Sequence, residues 1–188
     1  MIQVTLPDGS VKSFQNGSTP MDVAKSISEG LARNVISASY DNKTIETSTP
    51  LNEDGNLTLF TWNDKEGKKA FWHSSAHLLA QALEHLYPGI KLTIGPAIDN
   101  GFYYDVDFGD HSFSDKELVE VEKQMLEFAR QKHEFSMRDA SKNEALEYYR
   151  NQGNEYKVEL IENLEDGTIT FCDHADFTDL CRGGHIPN

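Results

Sequence analysis

The chain has 188 residues, 38% of them hydrophobic and 26% charged, with a formal net charge of −14. That length holds one large or two small domains, no apolar run approaches the ~20 residues of a membrane-spanning helix, and two cysteines are too few for a disulfide framework. Phosphate binding normally leaves a basic footprint. Residues 1–62 instead carry four Lys/Arg against seven Asp/Glu, and the remainder thirteen against twenty-four.

Met1-Ile2-Gln3-Val4 opens directly on strand-like alternation with no basic n-region or apolar h-region, so no export signal is expected and the expected compartment is the cytoplasm. Ile2 to Leu6 and Val11 to Phe14 alternate apolar and polar around Pro7-Asp8-Gly9-Ser10, which predicts a β-hairpin. Ser18-Thr19-Pro20-Met21-Asp22 supplies a helix start, with Pro near the first helical position. The helix, Pro20 to Ser28, turns Val23, Ala24 and Ile27 inward. Short strands follow at Val35 to Tyr40, Thr44 to Glu46 and Leu57 to Phe60. Hairpin, helix and further strands in this order form the plan of a small ubiquitin-like sheet. Residues 1–62 hold no His or Cys, and they read as an accessory module rather than a catalytic one.

Asn63 to Lys69 is polar and charged and is read as the linker between a domain at 1–62 and one at 63–188. A helix is expected from Ala70 to Tyr87, stopped by Pro88-Gly89. On it Trp72, Ala76, Leu79, Leu83 and Leu86 make an apolar stripe and Ser74, Gln81 and His85 a polar face. His73 and His77, four residues apart, project side by side between the two. A metalloprotease reading of HxxxH requires Glu after the first His, and Ser74 stands there.

Leu92 to Ile98 and Phe102 to Phe108 read as two strands around Asp99-Asn100-Gly101, with Phe102, Tyr104, Val106 and Phe108 on one face. Asp105 and Asp107 alternate onto the opposite face and read as solvated. Ser114 to Glu117 matches a capping box that opens a helix to Lys132, with Leu118, Val121, Met125, Phe128 and Ala129 inward. A strand at Phe135 to Arg138, a helix capped by Ser141 and running to Arg150, and strands at Tyr156 to Ile161 and Thr168 to Asp173 complete an α+β chain. It ends near Asp179-Leu180-Cys181-Arg182-Gly183-Gly184-His185, where a thiol and an imidazole stand four apart on a Gly-rich turn. With His73 and His77 they make four nitrogen or sulfur groups able to hold a Zn²⁺ or a water.

The order of these segments, a small N-terminal sheet module, HSSAHLLAQAL, IGPAIDNGFYYDVDF, EYKVELI and DLCRGGHIPN, resembles bacterial-type threonyl-tRNA synthetase. The resemblance covers the whole chain. It implies a TGS domain, a β-grasp module, followed by a larger α+β editing domain with a central antiparallel sheet and packed helices. It also implies that the aminoacylation domain, with its ATP site and catalytic zinc, and the homodimer contacts lie in further domains.

The implied partner is tRNA(Thr), chiefly its aminoacylated 3′ end. A threonine site rejects serine, smaller by one methyl, with only ~1–3 kcal/mol of discrimination. The implied reaction is therefore attack of water on the ester of mischarged Ser-tRNA(Thr). The resemblance assigns His73 to the water and Lys157 to the oxyanion or the water. His77, Cys181 and His185 shape and support the pocket, Asp179 pairs with the serine amine, and Tyr104 serves as a pocket aromatic. Gly95 and the turn at Asn100 admit the terminal adenosine. The family commonly has Pro before its last motif histidine, where this chain has Gly184, so a looser loop is expected.

Zinc on His73, His77, Cys181 and His185 is not expected to be required. The related editing domain of alanyl-tRNA synthetase shares the HxxxH and CxxxH arrangement but lacks the β-grasp module. A non-catalytic TGS module with a structural zinc is the remaining alternative.

Overall fold

The computed structural model describes residues 1–188. Its chain forms two compact units, one of residues 1–74 with 183–187, the other of residues 75–182 with 188.

The first unit is built on a five-stranded sheet. β1 (Ile2–Thr5) and β2 (Val11–Phe14) form the expected hairpin, with Ile2 opposite Phe14, and β5 (Gly55–Thr61) runs parallel to β1. β3 (Val35–Tyr40) joins β5 and β4 (Lys43–Ile45), giving the order β2-β1-β5-β3-β4. This is the mixed sheet of a β-grasp. Helix α1 (Pro20–Ile27) has a true capping box: Thr19 Oγ1 accepts from the Asp22 N–H, and the Asp22 carboxylate accepts from the Thr19 N–H. Its Val23 joins Ile2, Val4, Ala38, Leu51 and Leu57 in the core. A second short helix, α2 (Glu29–Asn34), buries no residue, which is why hydrophobic periodicity did not signal it.

Helix α3 runs from Lys65 to Leu86, so residues 65–69 are its first turns and not a linker. Lys and Glu are good helix formers. Gly67 also packs against Thr61, where a Cβ would meet the Thr61 carbonyl oxygen at 2.0 Å. The expected polar face is corrected as well, because Ser74 and Gln81 are buried. Ser74 Oγ donates to the Ala70 carbonyl, and Gln81 exchanges hydrogen bonds with His174, so both are satisfied inside.

In the second unit, β6 (Lys91–Leu92) pairs with β9 (Val106–Asp107), and β7 (Ala97–Ile98) with β8 (Gly101–Phe102), an interrupted form of the expected hairpin. Helix α4 begins at Leu118 and ends at Gln131. Glu117 does reach back to the Ser114 N–H and hydroxyl, but the residues between form a turn, so the box closes ahead of the helix. Val121 and Phe128 are buried, whereas Leu118 and Ala129 are exposed. Both lie roughly 60–80° off the stripe's axis at helical periodicity.

The central sheet has the order β10-β11-β12, all antiparallel (β10 Phe135–Asp139, β11 Thr170–His174, β12 Phe177–Leu180). Helices α5 (Lys142–Asn151) and α6 (Glu155–Glu162) pack with it around Leu146, Tyr149, Ile161, Ile169 and Phe171. Residues 156–161 are therefore helical, not a strand. The apolar alternation of Tyr156, Val158 and Leu160 suggested β structure, but Asn154 caps α6 through the Lys157 N–H, and Lys157 and Ile161, one turn apart, face inward.

Candidate functional site

In the second unit five of the sequence-predicted residues converge. α6 presents Lys157 and β12 presents Asp179, and their Nζ–Oδ1 distance is 2.6 Å with both side chains no more than 4% exposed. The Tyr104 hydroxyl donates to Asp179 Oδ2 at 2.6 Å, and the Leu180 N–H donates to Oδ1 at 2.8 Å. His77 Nδ1 lies 3.5 Å from Oδ2, and His77 Nε2 lies 3.3 Å from Cys181 Sγ. Cys181 is held by its N–H donating to the Thr170 carbonyl and by the Thr170 hydroxyl donating to its own carbonyl.

The electrostatics follow from these contacts. Burial pushes the Asp179 carboxyl up, but the Lys157 ammonium, His77 and the hydrogen bonds from Lys157 and Tyr104 outweigh it and hold the group below the usual carboxylate range. Tyr104 is driven far above its ordinary value by burial and then by the Asp179 charge, so it remains a neutral donor. Burial, with Asp179 and Asp176 nearby, raises Glu84. Glu84, Leu92, Tyr149, Asn154, Lys157 and Asp179 border a cavity of about 150 Å³.

Gly95 sits against Tyr104: a Cβ there would meet the ring at 2.1 Å, so the space beside Gly95 is taken by that tyrosine. Asn100 lies exposed at the β7–β8 turn.

In the first unit His73 and His185 come together, their ring centroids 4.8 Å apart. His185 is fully buried. The Ile186 N–H donates to Ser74 Oγ at 3.0 Å, tying the C-terminal segment down. Glu46, next after β4, accepts from the Gly184 N–H at 2.8 Å and contacts His185 Nδ1 at 3.1 Å through the same oxygen. Burial pushes Glu46 up, and the bonds from His185 and Gly184 more than offset it, so the carboxyl is held low and ionised. Of the candidate zinc donors, His77 and Cys181 belong to the second unit, and His73 and His185 to the first.

Sequence reasoning missed Glu46 and Tyr149. Tyr149 accepts from the Leu180 N–H at 2.9 Å and so braces the strand end that carries Asp179. Tyr149 at helical spacing reads only as core, and no local signal marks Glu46.

Residues 2–61 match the TGS domain. All 188 residues align with threonine–tRNA ligases. The chain is 68% identical to those of Flavobacterium psychrophilum and Flavobacterium johnsoniae and 53% identical to that of Cytophaga hutchinsonii, each time over the whole of this chain and 29% of the relative. The chain therefore spans under a third of the length of the ligases it matches. The TGS match coincides with the β-grasp sheet of the first unit, and no helix of the chain is long and apolar enough to cross a membrane.

Proposed function

We propose that this chain is the proofreading part of a cytoplasmic threonyl-tRNA synthetase, hydrolysing the seryl ester of mischarged Ser-tRNA(Thr) while excluding Thr-tRNA(Thr). The observation that carries the reading is the buried Lys157–Asp179–Tyr104 group beside His77 and Cys181. Taking two charges out of water costs several kcal/mol per ion, and apolar replacements are often as stable or more so. A fold that keeps such a pair gains a fixed cation and a fixed phenol, the groups an ester hydrolase needs where negative charge develops.

In this reading a neutral imidazole, His73, takes a proton from the attacking water near neutral pH. The Lys157 ammonium stabilises the oxyanion. Both Asp179 oxygens already accept from Lys157, Leu180 and Tyr104. Asp179 therefore orients those groups, and the serine ammonium is drawn by its field. His77, Cys181 and His185 shape the pocket. The net charge of −14 fits an enzyme that grips the end of its tRNA rather than its body. No metal is assigned a step, and aminoacylation, its ATP and zinc, and homodimer formation belong to the remainder of the synthetase.

The TGS match favours threonyl over alanyl editing. The test is release of serine from Ser-tRNA(Thr) and from Ser-tRNA(Ala). Preference for Ser-tRNA(Thr) supports the reading, and preference for Ser-tRNA(Ala) contradicts it.

A further inference from the structure

We propose that Glu46 is a positioning residue for His185: it fixes the ring with Nδ1 turned to the carboxylate and secures the Gly183-Gly184 loop that presents it. The proposal rests on the deacylase reading, in which His185 is one of the site imidazoles.

An ionised carboxylate offers acceptors only. With Glu46 Oε1 at 3.1 Å, the contact puts the hydrogen on His185 Nδ1; a singly protonated ring then has its lone pair on Nε2, the edge turned away from Glu46. A ring without such a partner samples both tautomers. His185 lies in turn against His73, so fixing one ring fixes the surface on which the other packs. A carboxylate that sets a histidine's tautomer is a general device of catalytic and metal sites. Here the β-grasp segment supplies it, 139 residues away in sequence.

The same oxygen accounts for Gly184. Gly183 and Gly184 have φ of +85° and +90°, conformations open to glycine and closed to proline. The Gly184 N–H donates to Glu46 at 2.8 Å, a bond that proline cannot make. Where the family commonly has proline before the last histidine, this chain has a glycine whose N–H ties the loop to Glu46.

The test uses the 188-residue chain with ¹⁵N-labelled histidine, as wild type, Glu46→Gln and Glu46→Met, with the His185 signals assigned by their loss in His185→Gln. In the wild type, two-bond ¹H–¹⁵N spectra are expected to show the Nδ1–H tautomer. Glu46→Met is expected to show tautomer averaging and a fall in kcat for serine release of about tenfold or more with KM little changed. Glu46→Gln, whose amide oxygen still accepts, is expected to keep more of both. A wild-type His185 in the Nε2–H form overturns the proposal whether or not the variants fold, as does an unchanged kcat in folded Glu46→Met. If the wild type releases no serine, the deacylase reading falls, and the spectra alone decide the assignment of Glu46.

Discussion

Lys157 and Asp179 are paired at 2.6 Å across α6 and β12, and neither side chain is more than 4% exposed. Asp179 accepts three further hydrogen bonds, from the Tyr104 and Tyr149 hydroxyls and from its neighbour's N–H, so its negative charge is held by partners inside the protein. Removing the cation leaves that charge without its main partner. Lys157→Met is therefore expected to destabilise the chain by ~3–5 kcal/mol in urea unfolding, and the double variant with Asp179→Asn is expected to recover most of the loss. A Lys157→Met variant as stable as wild type contradicts the pairing.

Acid titration gives a signed consequence of the same group. Asp179 has its folded pKa below its unfolded one, so its contribution is present above the unfolded pKa of about 3.9 and is lost as pH falls through the folded value. Glu117 behaves likewise: the His111 hydrogen bond, helped by Ser114 and Tyr87, holds it at about 2 against an ordinary 4.5. A carboxyl NMR titration of Glu117 is expected to give a midpoint near that value and to move towards 4.5 in His111→Ala. A wild-type midpoint at the ordinary value refutes the assignment.

Gly95 and Tyr104 are coupled sterically. Gly95→Ala places a Cβ against the Tyr104 ring, and moving the ring breaks its bond to Asp179. Overpacking of this kind costs ~1–3 kcal/mol, and serine release should fall with it. Unchanged stability and rate in Gly95→Ala would show that the tyrosine yields freely.

His73→Ala is expected to keep its circular dichroism and to lose ~10²–10⁴ in kcat, the range of general acid–base catalysis. In the proposed mechanism water attacks the ester directly, so no burst of seryl-enzyme should precede steady-state release. A covalent seryl adduct on Cys181 would replace this mechanism with nucleophilic catalysis.

Much of this arrangement was legible before the fold. The hairpin, the capped α1 and the sheet strands of the first unit followed from alternation and turn chemistry, and the HxxxH and CxxxH spacings pointed to residues that the structure draws together within each unit. What the sequence hid is long-range. Nothing local in the sequence marks Lys157 as buried, because its partner Asp179 comes from β12, 22 residues on. Residues 156–161 alternate as a strand, yet the Asn154 cap and the inward pair Lys157 and Ile161 make them helical. The lysines at 65, 68 and 69 looked like linker because their charge outweighed, in that reading, their helix-forming character. Glu46 carries no local mark at all, because its partners lie at the other end of the chain.

The central claim meets its most direct test in parallel time courses of Ser-tRNA(Thr) and Thr-tRNA(Thr) with the chain at high concentration. The account predicts rapid loss of serine with threonine retained. Retention of both esters by the folded chain, with tRNA saturating, or equal loss of both, would contradict it.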